Sequence, residues 1–116
     1  MTNYRNLDVW KAAMDLVIGV YRLTENFPAS ERFGLVTQIQ RCAVSIPSNI
    51  AEGSRRRTKA DFRHFLHISF GSGAELETQL EISKRLKYAP ALKISECLLQ
   101  LDSVMRMLNN FIKTFD

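Results

Sequence analysis

With two cysteines and two histidines in 116 residues, the chain has little of the chemistry that usually marks a site. Cys42 and Cys97 lie far apart inside periodic apolar segments, which gives neither a disulfide framework nor the close cysteine spacing of a zinc motif. Long apolar runs are also missing. Charge interrupts every extended segment well short of the ~20 residues that cross a bilayer, so no membrane span is predicted. No amino-terminal stretch joins a positive start, an apolar core and a cleavage site, and with the separated cysteines this predicts a reduced, cytoplasmic protein. Linkers, low-complexity segments and internal repeats are absent too. The 116 residues therefore read as one domain, 1–116, that can bury a core but has no room for a separate catalytic domain. Nor is charge of one sign in great excess. Lys and Arg number 16 against 12 Asp and Glu, a net charge of +4 with a pI near 9.3, which permits a polyanionic partner without requiring one.

What fills the chain is helical periodicity, with almost no strand alternation. Leu7, Trp10, Met14, Val17 and Tyr21 recur at three- and four-residue steps, predicting a first helix over 8–26 with that stripe turned to the core. Pro28 stops it, and Ser30 followed by Glu31 predicts the N-cap of a second helix over 30–54. The stripe of this helix is Phe33, Val36, Ile39, Ala43, Ile46 and Ile50, with Gly53 as its C-terminal glycine. Thr58 and Asp61 resemble a capping box that opens a third helix over 58–87, with Phe62, Phe65, Ser69, Leu76, Leu80 and Ser83 on one face. After "YAPAL", Ile94, Leu98, Leu101, Met105, Leu108, Ile112 and Phe115 keep a seven-residue alternation over a fourth helix, 91–115. Short connections make sequential helices antiparallel neighbours, hence an all-α, up-down-up-down four-helix bundle. The apolar arcs are wider than one bundle core needs: Val9, Ala13, Leu16 and Val20 on the first helix, and Cys97, Val104 and Phe111 on the fourth, lie outside these stripes. A second covered face, and so self-association, is predicted.

The stretch "SIPSNIAEGSRRR" at 45–57 places Pro47 inside a helix, where it removes an N–H from the Ala43 carbonyl and crowds that turn. Ser45, Ser48 and Asn49 supply short polar groups that can bond to the freed backbone, predicting a repaired kink. A phosphate cradle is not indicated, because the spaced glycines and lysine of such loops are missing. Nucleophilic catalysis by Ser45 or Ser48 lacks a nearby histidine and a strand-to-helix elbow. Asp61, His64 and His67 stand three apart and could in principle share a metal, but two histidines and a carboxylate on a solvated helix start read as surface residues. No metal or other cofactor is assigned. Gly71 and Gly73 weaken a helix interior, and with Ser69, Ser72 and Ala74 they predict a close helix crossing or a bend. Glu75 and Glu77, two apart, point to different sides of their helix and do not form an acid pair.

The antiparallel topology sorts the charges by end. Arg5, Lys11, Arg55, Arg56, Arg57, Lys59, Arg63 and Lys113 gather with both termini, against Asp8, Glu52, Asp61 and Asp116. The opposite end is less positive and the waist is negative. Arg55, Arg56, Arg57, Lys59 and Arg63 are therefore the candidate nucleic-acid-binding residues, and a ring of copies would repeat them around one rim. Base-specific readout is not indicated, since no helix-turn-helix, zinc spacing or aromatic stacking sheet is present.

"LDVWKAAMDLVIGVY", "FPASERFGLVTQIQRCAVSIPSNIAEGSRR" and "FLHISFGSGAELETQLEISKRL" together resemble the bacterial four-helix bundle family named for proteins encoded in intervening sequences of 23S ribosomal RNA genes. The resemblance implies an antiparallel bundle assembled as a ring, a homopentamer, with no established enzymatic activity. It also implies a relationship to the accessory variability determinant protein of diversity-generating retroelements, a basic pentameric barrel that works with nucleic acid. Pro47, Asn49, Glu52 and Gly53 match the family's fold-defining motif, and Gln38, Arg41, Glu75 and Glu77 its polar positions. Cys42 departs from the pattern where a small residue is usual, and Lys87 departs where glycine is expected before the tyrosine. The function predicted is a non-catalytic homo-oligomeric adaptor that binds structured RNA or DNA, with or without a protein partner. The alternatives are a metal-dependent nuclease using Asp61, His64 and His67, and a pure protein–protein scaffold.

Overall fold

The computed structural model describes residues 3–116 and, among them, contains four α-helices and no strand. Helix α1 spans Asp8–Thr24, α2 Leu35–Ser54, α3 Lys59–Arg85 and α4 Ala91–Lys113, with short 3-10 turns at Tyr4–Asn6 and Ala29–Glu31. At ~1.5 Å per residue the 27 residues of α3 reach about 40 Å, which matches the long axis of a rod measuring 43 × 24 × 20 Å. None of these helices is long and apolar enough to cross a membrane.

Contacts between helices fix their directions. Along α2 and α3, Cys42 meets Glu75, Ser45 meets Ser72 and Ile46 meets Ser69, so one numbering climbs as the other falls. Gly73 lies against Met105, and Gly19 against Gln100. Phe62 meets Phe111 and Phe115, which makes α4 antiparallel to α3. Gln40 donates to Thr24 Oγ1 at 3.1 Å while Arg55 lies over Tyr4, which sets α1 against α2 in the same sense. Each helix packs on its chain neighbours, α4 closes on α1, and the α2–α3 pair is the most extensive. The result is the up-down-up-down bundle that the short connections predict.

The core is a column of fully buried aliphatic side chains, among them Leu16 and Val20 of α1, Ile39, Ile46 and Ile50 of α2, Leu66, Leu76 and Leu80 of α3, and Ile94, Leu101 and Leu108 of α4. On α3, buried Ser69 and Gly73 interrupt the large residues. Gly73 lies against the Met105 thioether, so α3 and α4 do pass close at the small-residue run, although the flexible methionine end could yield to a Cβ there. Gly71 faces open space.

Several sequence expectations are corrected, three of them in α1 and α2. On α1 the core face is Val9, Ala13, Leu16 and Val20, whereas Met14 and Tyr21 are exposed and Leu7, Trp10 and Val17 only half-buried. Both stripes have helical period, and the one with the smaller side chains is the one packed against α2 and α4. Second, α2 begins at Leu35 and not near Ser30: Pro28 leads into the 3-10 turn at Ala29–Glu31, Gly34 occupies the N-cap, and Phe33 stands 87% exposed in the connection. Third, Gly53 is not a left-handed terminator, since the helix runs through it to Ser54. A Cβ there would sit 2.8 Å from Phe65 Cβ and 3.2 Å from the Phe62 carbonyl oxygen, so glycine lets α2 and α3 converge.

The third helix ends at Arg85, two residues short of the predicted limit, with Lys87 in the left-handed region at φ 59°. Tyr88 N donates to the Ser83 carbonyl and Lys87 N to the Lys84 carbonyl, both at 3.1 Å, the paired bonds of a Schellman motif. Tyr88 then packs edge-on against Phe27 and donates its hydroxyl to Glu31 Oε2 at 2.7 Å, which ties the two connections at this end together. That bond to a carboxylate, with a smaller contribution from desolvation, raises the Tyr88 pKa above its ordinary value.

Candidate nucleic-acid interface

The convergence at Gly53 leaves a short turn between α2 and α3, and Arg55, Arg56 and Arg57 occupy it, all exposed. Arg55 caps α2 by donating its N–H to the Glu52 carbonyl at 3.2 Å. Thr58 Oγ1 accepts from Asp61 N at 3.1 Å and opens α3, the forward half of the predicted capping box. The five predicted basic residues are thus brought to one end of the rod, but they are not equivalent. Arg56 is paired to Glu52 at 2.7 Å and lies over the Phe65 ring, and Arg63 is paired to Asp116 at 2.9 Å. Arg55 stacks over Tyr4, whose ring also carries Arg5, an arrangement that orients the cation without neutralising it. Arg57 and Lys59 have no ion-pair partner among the described residues. Exposed pairs such as Arg56–Glu52 hold by only ~0–1 kcal/mol, so they can exchange a carboxylate for a phosphate.

Between Arg57, Lys59 and the last turn of α4 lies an open cavity of about 320 Å³ that is also lined by Phe62, Phe111 and Phe115. From the sequence, Phe62 and Phe115 fall in apolar stripes and Phe111 outside its helix's stripe, with no indication that the three meet. The available signal was topological: antiparallel α3 and α4 bring the start of one and the end of the other to the same level.

The other candidates do not assemble. No group of three or more His, Cys, Asp and Glu side chains is placed to hold a metal among the described residues, so Asp61, His64 and His67 are not brought into one ligand set. His64 instead lies edge-on to Phe65. Burial raises the Cys97 thiol to about 11. Cys42, which donates to Glu75 Oε2 at 3.4 Å, is raised chiefly by desolvation and next by that bond. Neither thiol has the depressed pKa of a nucleophile.

Residues 5–110 match the family described as 23S rRNA-intervening sequence protein. The chain belongs to this family. A solved structure similar to it is that of a protein of unknown function from the S23 ribosomal protein family of Bacteroides thetaiotaomicron. The likeness has a TM-score of 0.83 at 24% identity, covering 90% of this chain and 95% of that one, and is one of fold. No curated protein matches this chain.

In this member of the family the run from Ser45 to Gly53 builds the α2–α3 seam that carries the arginine turn. Asn49 Nδ2 donates to the Ser45 carbonyl at 2.8 Å and to Ser45 Oγ at 2.9 Å, and Ser69 Oγ crosses from α3 to the Ile46 carbonyl at 2.9 Å. These bonds end on the Ser45 and Ile46 carbonyls and not on the Ala43 carbonyl that Pro47 leaves without its helix donor, so they pin the seam around the proline but are not the predicted repair of that group. Ser48 is exposed and, among the described residues, makes no such bond. Helix α2 remains continuous through buried Pro47. Glu52 closes the run by holding Arg56.

Proposed function

We propose that this chain is a non-catalytic, self-associating cytoplasmic protein that holds structured RNA or DNA by its phosphate backbone through the α2–α3 turn. The observation that carries the reading is the turn itself, where Arg55, Arg57 and Lys59 are exposed and have no ion-pair partner among the described residues, at the end that also holds Arg5. Each phosphate engaged releases counterions, so binding falls steeply with salt. Assembly as a ring, five copies being the number the family resemblance implies, would set several such turns side by side and multiply the contacts.

Fluorescence anisotropy of labelled hairpin RNA and duplex DNA across a salt series tests this. Wild-type protein should bind at low salt with a steep negative slope of log K on log salt. Replacing Arg55, Arg56 and Arg57 together by alanine should flatten that slope by about 2, with Arg56 contributing least because Glu52 already holds it. Undiminished binding by the folded triple variant would sink the proposal.

A further inference from the structure

The cavity at the basic end joins an aromatic floor to a cationic rim, a combination that backbone binding does not use. Phe62, Phe111 and Phe115 meet edge to face with centroids 5.7, 5.0 and 5.3 Å apart, and all three are half-buried. Closing the core does not require them to stay open to solvent, since Ile50, Leu66 and Leu108 are already fully buried. They line the same cavity of about 320 Å³ as Arg57 and Lys59, the two cations with no ion-pair partner among the described residues. The larger cavity at the other end, about 430 Å³, offers Arg22 and Lys93 but no aromatic lining, and its Lys93 turns to Glu96 at 3.9 Å. Aromatic rings beside free cations are what a nucleotide with an uncovered base requires: a π-face for the base and a positive group for its phosphate.

We propose that this cavity takes an unpaired nucleotide, with its base stacked on the phenylalanine cluster and its phosphate held by Arg57 and Lys59. The inference rests on the reading that this end engages nucleic acid, and it narrows the partner to strands that present an unstacked base: a loop, a bulge or a single-stranded end. Duplex bases have both faces covered by neighbours and cannot enter, whereas every base has a π-face, so selection is by exposure of the base and is tolerant of sequence.

The experiment compares a labelled single-stranded RNA dodecamer with its duplex, and adds adenosine monophosphate followed by NMR of the phenylalanine ring protons. The variants are Phe115→Leu, which lies beyond the end of α4 and keeps apolar volume, and Lys59→Ala. Phe115→Leu should weaken single-strand binding about tenfold while leaving duplex binding and the salt slope unchanged. Lys59→Ala should weaken both strands and flatten the slope by about 1. If the single strand binds wild type and Phe115→Leu equally, or if duplex binding falls in parallel, the stacking pocket is wrong and the backbone reading stands. If no polynucleotide binds but the monophosphate shifts the ring protons of wild type and not of Phe115→Leu, the pocket is a mononucleotide site and the backbone reading falls. Binding of neither overturns both.

Discussion

Lys87 occupies a left-handed position at φ 59° where the family resemblance calls for glycine, and the Schellman bonds around it explain the preference. A side chain with a Cβ in that conformation costs ~1–2 kcal/mol, and glycine avoids it. Gly53 is the opposite case: its backbone is ordinary and the reason for glycine is the 2.8 Å approach of Phe65 Cβ and the nearby Phe62 backbone, neither of which can swing away. Urea unfolding at one protein concentration should separate the two. Lys87→Gly should stabilise by about 1 kcal/mol, while Gly53→Ala should destabilise by about 1–3 kcal/mol despite alanine's better helix propensity. Stabilisation by Gly53→Ala would mean that α2 and α3 separate freely at the arginine turn, and the account of how that turn is positioned would fail.

At the scale of elements, two predicted helix starts had opposite outcomes. Thr58 caps α3 through Asp61 N, whereas Ser30 sits inside a 3-10 turn and α2 starts five residues later. Thr58→Ala should cost about 1 kcal/mol in the same unfolding measurement, and Ser30→Ala should stay within about 0.5 kcal/mol. Equal losses would show that the structural distinction between them is wrong. Helix number, order and antiparallel sense were legible because period and short connections are local properties of the chain. The start of α2 was not: Glu31 Oε1 lies 3.5 Å from Leu35 N, the first residue of the helix, and its other oxygen accepts from Tyr88 of the α3–α4 connection. A bond between residues so distant in sequence leaves no local mark. The same limit explains α1, where two stripes of equal period compete and only packing against α2 and α4 chooses Val9, Ala13, Leu16 and Val20. At the candidate site the arginine run was plain in the sequence. That Arg63 is paired to distant Asp116, while Arg57 and Lys59 have no ion-pair partner among the described residues, came only with the fold, as did the phenylalanine cluster.

At the scale of the whole molecule, the stripe that α1 does not bury becomes the feature to explain. Met14, Ile18 and Tyr21 are 38%, 49% and 43% exposed, Trp10 and Val17 are half-buried beside them, and Val44 of the adjoining α2 is exposed as well. Fully burying an exposed large apolar side chain yields ~1.5–3 kcal/mol, so covering these, each less than half exposed, would yield roughly half that or less apiece, and a second copy of the chain is the occupant we propose for the strip. Ile18 lies outside the core column, and a charge there should disturb association without disturbing the bundle. Sedimentation equilibrium of Ile18→Asp should therefore give the 13.3 kDa mass of a single chain with unchanged helical circular dichroism, where the wild type gives a multiple of it. An uncompensated carboxylate in a covered interface costs about 3 kcal/mol or more, over a hundredfold in dissociation constant. A wild type that sediments as one chain, or a variant that keeps the wild-type mass, would remove the stripe as the contact. The outcome reaches the basic end too: if the ring aligns the arginine turns, the monomeric variant should also lose the part of its RNA affinity that comes from several turns engaging one strand at once, although every arginine is still in place.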